Sequence, residues 1–347
     1  MHLVNGGRSA DERAADVRRV LEAGRRVRGH EELLKSALAK STRLSLDGVH
    51  LALTDHLEVD ATDEEVAKLV AAAGDAERVA VILSSTVFVG ALRAVALARA
   101  AAAEVVVRPS SHEPIFAKAL VHELRELGDL GVSVVDDLDV ATVTRGEVHV
   151  YGSDETIATL RARASIPVRG HGTGLGVAFV VMDELEVAAA DVARDVVPFD
   201  QRGCLSPRLV LVLGDEARAA AFGKALAAEL ATFRANVPRG ELTDDERADA
   251  ARYRGTVAFA GELFDGPDFA VGVSDEVLLP PPGRHVHVTP VHTEEAIRRA
   301  LEPLARFVAA VGVNTQVPVL EDLVPKARRS RLGLMQKPPL DGPVDLR

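Results

Sequence analysis

The chain's single cysteine, Cys204, lies between Gly203 and Leu205 in "DVVPFDQRGCLSPRLVLVLG" (residues 195–214), just ahead of a Ser-Pro and a strand-forming run. An ionised thiol is a strong nucleophile, and a cysteine on a Gly-flanked turn can project its sulfur while its backbone N–H faces a reacting group. A cysteine on its own is otherwise a small hydrophobe, inert when buried, so the reading depends on what accompanies it. A second set of groups ends a series of apolar runs: Ser84 and Ser85 after "RVAVIL", Arg108, Ser110 and Ser111 in "EVVVRPSS", and Gly152 and Ser153 after "EVHVY". Hydroxyls, a guanidinium and a glycine at strand ends are groups that can hold a ligand.

The histidines offer less. His171 stands in a Gly-rich loop and is a candidate proton donor, although a histidine there is more often a structural hydrogen-bonder. In "HVHV" (285–288) the alternation puts both imidazoles on one face of a strand with no third or fourth ligand nearby, so no metal is expected. The basic run "KARRSR" (326–331) reads as a solvated stretch ahead of an extended, Pro-rich tail.

The elements that must position these groups follow from periodicity. From Ser9 to about Gly74 the pattern is helical; "SADERAADVRRVLEAGRRV" opens with a capping box, Ser9 and Glu12, and "TDEEVAKLVAAAG" with a Thr cap and a Gly stop. From residue 78 strands and helices alternate: "RVAVILS", "TVFVGALRAVALARAAAA", "EVVVRPS", "HEPIFAKALVHELRELG", "VSVVDD", "EVHVYGS", "DETIATLRARA", "SIPVRGH" and, closing the series, "GVAFVVMD". Such alternation predicts βαβ units and a parallel sheet covered by helices, with ligands held at the carboxyl ends of the strands. A second α/β unit starts near Asp183 with "ELEVAAADVARD", then the cysteine loop, "RLVLVLG", "DEARAAAFGKALAAELATFRANV" and the strands "TVAFA" and "HVHVTPV". The expected division is 1–182 for the N-terminal helices and cofactor domain, 183–325 for the catalytic domain and 326–347 for the tail.

Composition narrows the class. A chain of 347 residues, 47% hydrophobic and 27% charged, suits about two globular domains at roughly 100–200 residues each. Aromatic residues are 3% and tryptophan is absent, so the core must be aliphatic. A net charge of −11, from 41 basic and 52 acidic residues, disfavours nucleic acid as a partner. One cysteine cannot form an internal disulfide and the N-terminus lacks an apolar signal region, so a cytoplasmic location is expected. The most apolar stretch, 79–107, is interrupted by Arg93 and Arg99 and reads as core, with no membrane span.

The cysteine loop "DQRGCLSPR" resembles the nucleophile loop of the aldehyde dehydrogenase superfamily. "ILSSTVFVGALRAVALARAAAAEVVVRPSSHEP" is similar, in order and length, to that superfamily's strand, oxyanion-holding asparagine turn, helix and Lys-Pro-Ser strand, with Ser85 at the asparagine's place and Arg108 at the lysine's. "VYGS" (150–153) is similar to the Gly-Ser that opens the pyrophosphate helix, and "PVRGHGTGLGVAFVV" to the Glu-Leu-Gly-Gly-Lys strand. The glutamate that activates water in hydrolytic members has no counterpart here, because Arg169 to Thr173 contain no carboxylate. Without a general base, water is a poor acyl acceptor, which favours the branch that exchanges acyl groups with a thiol. Within that branch "FDQRGCLSPR" and the tail "LGLMQKPPLDGPVD" resemble the LuxC-type acyl-CoA reductases, from about residue 35 onward.

The resemblance implies an α/β fold with a Rossmann-type cofactor domain and an α/β catalytic domain, and a cysteine thioacyl-enzyme on Cys204. It implies an oxyanion held by the Cys204 N–H and by Ser85, and a nicotinamide cofactor contacted by Ser84, Arg108, Ser110, Ser111, Gly152 and Ser153. Ser111 stands where a ribose-binding glutamate would repel a 2′-phosphate, and Arg108 and His112 are near it in sequence, so NADPH is expected over NADH. The implied substrate is an acyl-CoA or an acyl-carrier or acyl-protein thioester, and a homo-oligomer is expected by family analogy. Two alternatives stay open: a CoA-acylating aldehyde dehydrogenase or acyl phosphate reductase on the same fold, and a non-catalytic binding partner in an acyl-processing complex.

Overall fold

The computed structural model describes residues 7–85 and 87–346. Contact density divides them into two units: one takes the chain up to Thr42, Ala52–Thr173 and Pro339–Pro343, the other Arg43–Leu51, Gly174–Pro338 and the residues from Val344 on. The sequence reading divides the chain after 182 instead.

In the first unit, α1 (Ala10–Gly29) begins with the expected Ser9/Glu12 capping box and α2 (Glu31–Thr42) follows; α3 (Leu46–Asp55) is divided, its residues up to Leu51 counted with the second unit and those from Ala52 with the first. A second capping box, Thr62/Glu65, opens α4 (Asp63–Ala73), and Gly74 ends it at φ 79°. The sheet elements then run β1 (Arg78–Ile82), α5 (Gly90–Ala101), β2 (Glu104–Arg108), α6 (Ile115–Glu126), β3 (Val132–Val134), β4 (Glu147–Tyr151), α7 (Asp154–Arg163) and β5 (Val168–His171). The strands pair in parallel in the order β3-β2-β1-β4-β5. With helices on its faces such a sheet is buried on both sides, which is why β1 and β2 read as continuous apolar runs rather than alternating ones. Thr86, where the sequence reading starts the first crossover helix, lies outside the described residues; the helix itself begins at Gly90.

Helix α5 is buried along its length, and its two arginines are buried with it. Arg93 forks onto Glu58 at 2.8 and 2.9 Å and donates to the carbonyls of Pro339 and Gly342, while Arg99 forks onto Asp129 at 3.1 Å. A buried guanidinium is tolerable only when its donors are satisfied in this way. No helix among the described residues is long and apolar enough to cross a membrane.

The second unit holds β6 (Leu175–Val180), α8 (Leu185–Val196), β7 (Pro207–Leu213), α9 (Glu216–Asn236), α10 (Asp244–Ala260), β8 (Glu262–Gly266), β9 (Phe269–Val273), β10 (His285–Val291), α11 (Glu294–Leu301), β11 (Val308–Val313), α12 (Pro318–Leu323) and β12 (Arg328–Ser330). Its sheet has the order β12-β11-β6-β7-β10-β9-β8, parallel except for the β8/β9 pair. Strand alternation sorts the core: Ala178, Val180, Val210 and Val212 pack under α8 and α9, whereas Val177, Phe179, Leu209 and Leu211 pack with Ile297, Leu301 and Leu320 on the other face.

Three expectations are corrected here. "GVAFVVMD" does not close the first sheet; as β6 it lies between β7 and β11, where its alternate faces meet both layers of the second core. "TVAFA" is the last turn of α10 rather than a strand: Thr243 and Glu246 nucleate the helix, Val257 is buried on one face, Phe259 is exposed on the other, and Gly261 stops it. The basic run is solvated only in part: Lys326, Arg329 and Arg331 are exposed, but the segment is also built into the sheet. Arg328 and Ala327 are buried, Arg328 Nε donates to Val344 O, Arg329 donates to Leu320 O and Val324 O, and Arg328–Ser330 adds an edge strand beside β11.

Candidate active site

The cysteine loop begins where α8 ends. Phe199, Asp200 and Gln201 all have positive φ, 54°, 51° and 64°, three non-glycine residues in succession in the left-handed region. Each costs about 1–2 kcal/mol relative to an ordinary backbone conformation, so the surroundings must hold them there. Gln201, 1% exposed, does so with its whole amide. Its Nε2 donates to Pro207 O at 2.8 Å and His285 O at 2.7 Å, and its Oε1 accepts from His285 N at 2.8 Å. Asp200 accepts from the buried Arg284 at 2.8 Å and from Gly240 N at 2.9 Å. Arg202 is tied to Glu246 at 3.1 Å.

The loop ends in a tight turn that Ser206 N closes on Gly203 O at 3.2 Å, with Cys204 in its first central position. Cys204 is half-buried at the amino end of β7 and packs, as Val344 does, against a cluster of Leu205, Ala310 and Met335. Asp195 ties the turn to the C-terminal loop through three hydrogen bonds. Ser206 Oγ donates to Asp195 O at 2.8 Å, and the Asp195 carboxylate accepts from Gly333 N at 2.7 Å and Met335 N at 2.8 Å. Burial pushes the Asp195 carboxyl up to about 7, against the pull of those backbone donors.

In the other unit, β2, β1 and β4 are neighbours, and the chain order reverses between β1 and β4, the kind of switch point at which parallel sheets leave a crevice. Ser84 and Ser85 follow β1, Arg108 ends β2, and Gly152 and Ser153 follow β4, so these residues share one edge of the sheet. Among the described residues the Arg108 guanidinium has no carboxylate or carbonyl partner, and the hydroxyls of Ser84 and Ser85 have none either. Two of the expected ligand-holding hydroxyls already serve the backbone: Ser110 Oγ accepts from His112 N at 3.2 Å, and Ser153 Oγ caps α7 by accepting from Thr156 N at 3.2 Å. Ser111 and His112 are exposed. The nearby acid, Glu113, is buried and caps α6 through Ile115 N and Phe116 N, so its carboxylate is committed to that helix. A half-exposed cation with no counter-ion among the described residues, one strand over from unpaired hydroxyls and on the same edge as a glycine, fits a phosphate-bearing nucleotide.

Four of the described histidines lie within strands of the two sheets. His171 stacks on Tyr151 with ring centres 4.4 Å apart at the ends of β5 and β4. Next to them, burial pushes Glu147 up, but His149 at 2.9 Å and Arg169 at 3.0 Å outweigh it and hold the carboxyl below its usual range. His287 lies between Tyr253, Ser274 and the Glu276 carbonyl, His285 against Pro282 O, and burial lowers both imidazoles to about 4. Among the described residues no group of His, Cys, Asp or Glu is arranged to hold a metal ion.

Local sequence patterns do not reveal Asp195, Asp200, Gln201, Ser206 or Met335 as parts of this arrangement. Gln201 meets His285 across 84 positions and Asp195 meets Met335 across 140, distances at which no periodicity speaks. The signal available was that Asp200, Gln201 and Ser206 fall in "DQRGCLSPR" and Met335 in "LGLMQKPPLDGPVD", the segments that carry the family resemblance, without any indication of their partners.

Comparison with known proteins adds a family and a fold. The profile of the acyl-CoA reductase (LuxC) family matches residues 59–326. Among solved structures, an oxidoreductase from Marinobacter aquaeolei is similar over 97% of this chain and 80% of its own, with a TM-score of 0.72 and 15% identity. A NAD-dependent benzaldehyde dehydrogenase from Corynebacterium glutamicum is similar over 94% of this chain and 81% of its own, with a TM-score of 0.71 and 16% identity. At that identity the likeness is one of fold, that of the aldehyde dehydrogenases. No curated protein matches the sequence.

Proposed function

The chain belongs to the acyl-CoA reductase (LuxC) family, oxidoreductases that act on acyl groups, and on that premise we propose that it reduces a fatty acyl thioester to the aldehyde with NADPH, through a thioacyl-enzyme on Cys204. The observation that carries the reading is the cysteine loop: three left-handed residues held by buried side chains, ahead of a tight turn with Cys204 half-buried at its first central position. Strain of this kind persists where the surrounding structure over-determines it, and it clusters at reacting groups.

In this reading Cys204 Sγ attacks the thioester carbonyl, forming a new C–S bond as the carbonyl electrons move to oxygen. The backbone N–H of Cys204 and the hydroxyl of Ser85 serve the oxyanion, each worth about 3 kcal/mol when aligned. Collapse expels the thiol, which carries away the proton that the cysteine lost, and leaves the acyl group on sulfur. No carboxylate occurs between Arg169 and Thr173 to activate water, so the acyl-enzyme waits for reduction rather than hydrolysis. The nicotinamide nucleotide, when bound, supplies the hydride. Arg108, with Ser111 and His112 beside it, would hold the adenosine 2′-phosphate, and Ser84, Ser110, Gly152 and Ser153 would line the rest of that edge. When the aldehyde carbonyl re-forms, Cys204 leaves as thiolate.

The test is intact-mass spectrometry of the protein mixed with a long-chain acyl-CoA. A single acyl adduct that is absent in Cys204→Ala, and that disappears with aldehyde formation on adding NADPH, supports the reading. An unmodified wild-type protein that oxidises no NADPH refutes it and favours the binding-partner alternative.

A further inference from the structure

We propose that Asp195 is a positioning residue for the Cys204 thiol, tying the cysteine turn to the C-terminal loop at Gly333–Met335; this rests on the reading of Cys204 as the nucleophile. Asp195, fully buried at the end of α8, is bound from both sides. Its backbone carbonyl accepts the Ser206 hydroxyl at 2.8 Å, and Ser206 N in turn closes the turn on Gly203 O. Its two carboxylate oxygens each take one backbone N–H of the C-terminal loop, Gly333 at 2.7 Å and Met335 at 2.8 Å. Met335 is fully buried in a cluster with Leu205 and Ala310, and Cys204 packs against that cluster.

One residue therefore sets both the turn that presents the sulfur and a member of the apolar cluster against which Cys204 packs. The chemistry of the residue is specific. Two acceptor oxygens on a short stem serve two convergent N–H donors, whereas an asparagine has one acceptor and turns an N–H2 toward the other donor. A fully buried N–H without an acceptor displaces the segment that carries it, so the loop at Met335 moves and the sulfur loses its neighbour.

Wild type, Asp195→Asn and Met335→Ala are compared as full-length chains at a temperature where circular dichroism shows each folded. Single-turnover acylation by decanoyl-CoA is read by intact mass, and alkylation of Cys204 by iodoacetamide is followed in parallel. The proposal expects the saturating acylation rate of Asp195→Asn to fall about tenfold or more, with the half-saturating decanoyl-CoA concentration within about twofold of wild type. It expects faster alkylation, because the thiol loses cover. A purely structural Asp195 lowers the melting temperature and leaves the saturating rate of the folded protein unchanged, and that result overturns the proposal. Should Asp195→Asn not fold, Met335→Ala decides: slower acylation with faster alkylation supports the proposal, and wild-type values for both overturn it. If the wild type itself is never acylated, the nucleophile reading falls, and the alkylation rates still show whether Asp195 governs the exposure of the sulfur.

Discussion

Replacing Gln201 by glutamate changes one atom of the loop that carries the cysteine, and the structure sets the size and pH dependence of the cost. Gln201→Glu keeps the oxygen that accepts from His285 N but exchanges the N–H2 for an oxygen facing the carbonyls of Pro207 and His285, at 2.8 and 2.7 Å. Acceptor against acceptor in a fully buried site is unfavourable, so the new carboxyl stays protonated and serves one of the two carbonyls. The second carbonyl loses its donor, a cost of about 1 kcal/mol. Holding the proton at pH 7 on a group that ionises near 4.3 in the unfolded chain costs about 4 kcal/mol more, at about 1.4 kcal/mol per pH unit. The sum is about 5 kcal/mol at pH 7 and about 2 kcal/mol at pH 5. The sign follows from the raised pKa: the folded variant binds one more proton than the unfolded chain, so its stability relative to wild type declines as pH rises from about 4.3. Urea unfolding of both proteins at pH 5 and pH 7, followed by circular dichroism, gives the two differences. A destabilisation that is equal at the two pH values, or below about 1 kcal/mol at pH 7, would show that the Gln201 amide does not hold the loop as described.

Other outcomes can be checked alongside. Arg284→Met takes from buried Asp200 its 2.8 Å cation, leaving Arg202 at 3.7 Å, and should cost about 3 kcal/mol in urea unfolding, because a buried charge that loses its nearest partner is worse than no pair. Burial keeps His285 and His287 neutral with pKa values of about 4, so their contribution is complete above about pH 6.5 and is lost as pH falls toward 4, up to about 3 kcal/mol apiece. His287→Gln should flatten that slope between pH 6.5 and 4.5 when unfolding is measured across the range. Arg108→Ala should raise the Kd for NADPH by about tenfold or more while leaving that for NADH within about threefold, measured by fluorescence titration; equal effects on both would assign Arg108 a role away from the 2′-phosphate.

Much of the architecture was legible locally because it depends on near neighbours in sequence. The capping boxes at Ser9/Glu12 and Thr62/Glu65 and the alternation that yields the two sheets need only residues within a turn or a strand of one another. The misreadings share one cause. "TVAFA" has strand-like spacing, but a helix already nucleated at Thr243 runs through it to Gly261. "GVAFVVMD" is a strand either way; which sheet it joins depends on partners at 207–213 and 308–313. Arg328 looks solvated until its Nε meets the Val344 carbonyl, and the exposed Arg329 still spends donors on Leu320 O and Val324 O.

For the candidate site the division is similar. Residue types and order alone brought forward Cys204, a strand-end Arg108 and the serines around it, and an absent carboxylate in 169–173. Tertiary structure decided what those residues can do. It gave Arg108 no counter-ion among the described residues, turned the Ser110 and Ser153 hydroxyls to the backbone, and bent Phe199–Gln201 into the left-handed region against contacts from residues 240, 284 and 285. Backbone strain and its compensation are properties of a surrounding assembled from distant segments, and periodicity along the chain carries no record of which distant group satisfies a buried donor.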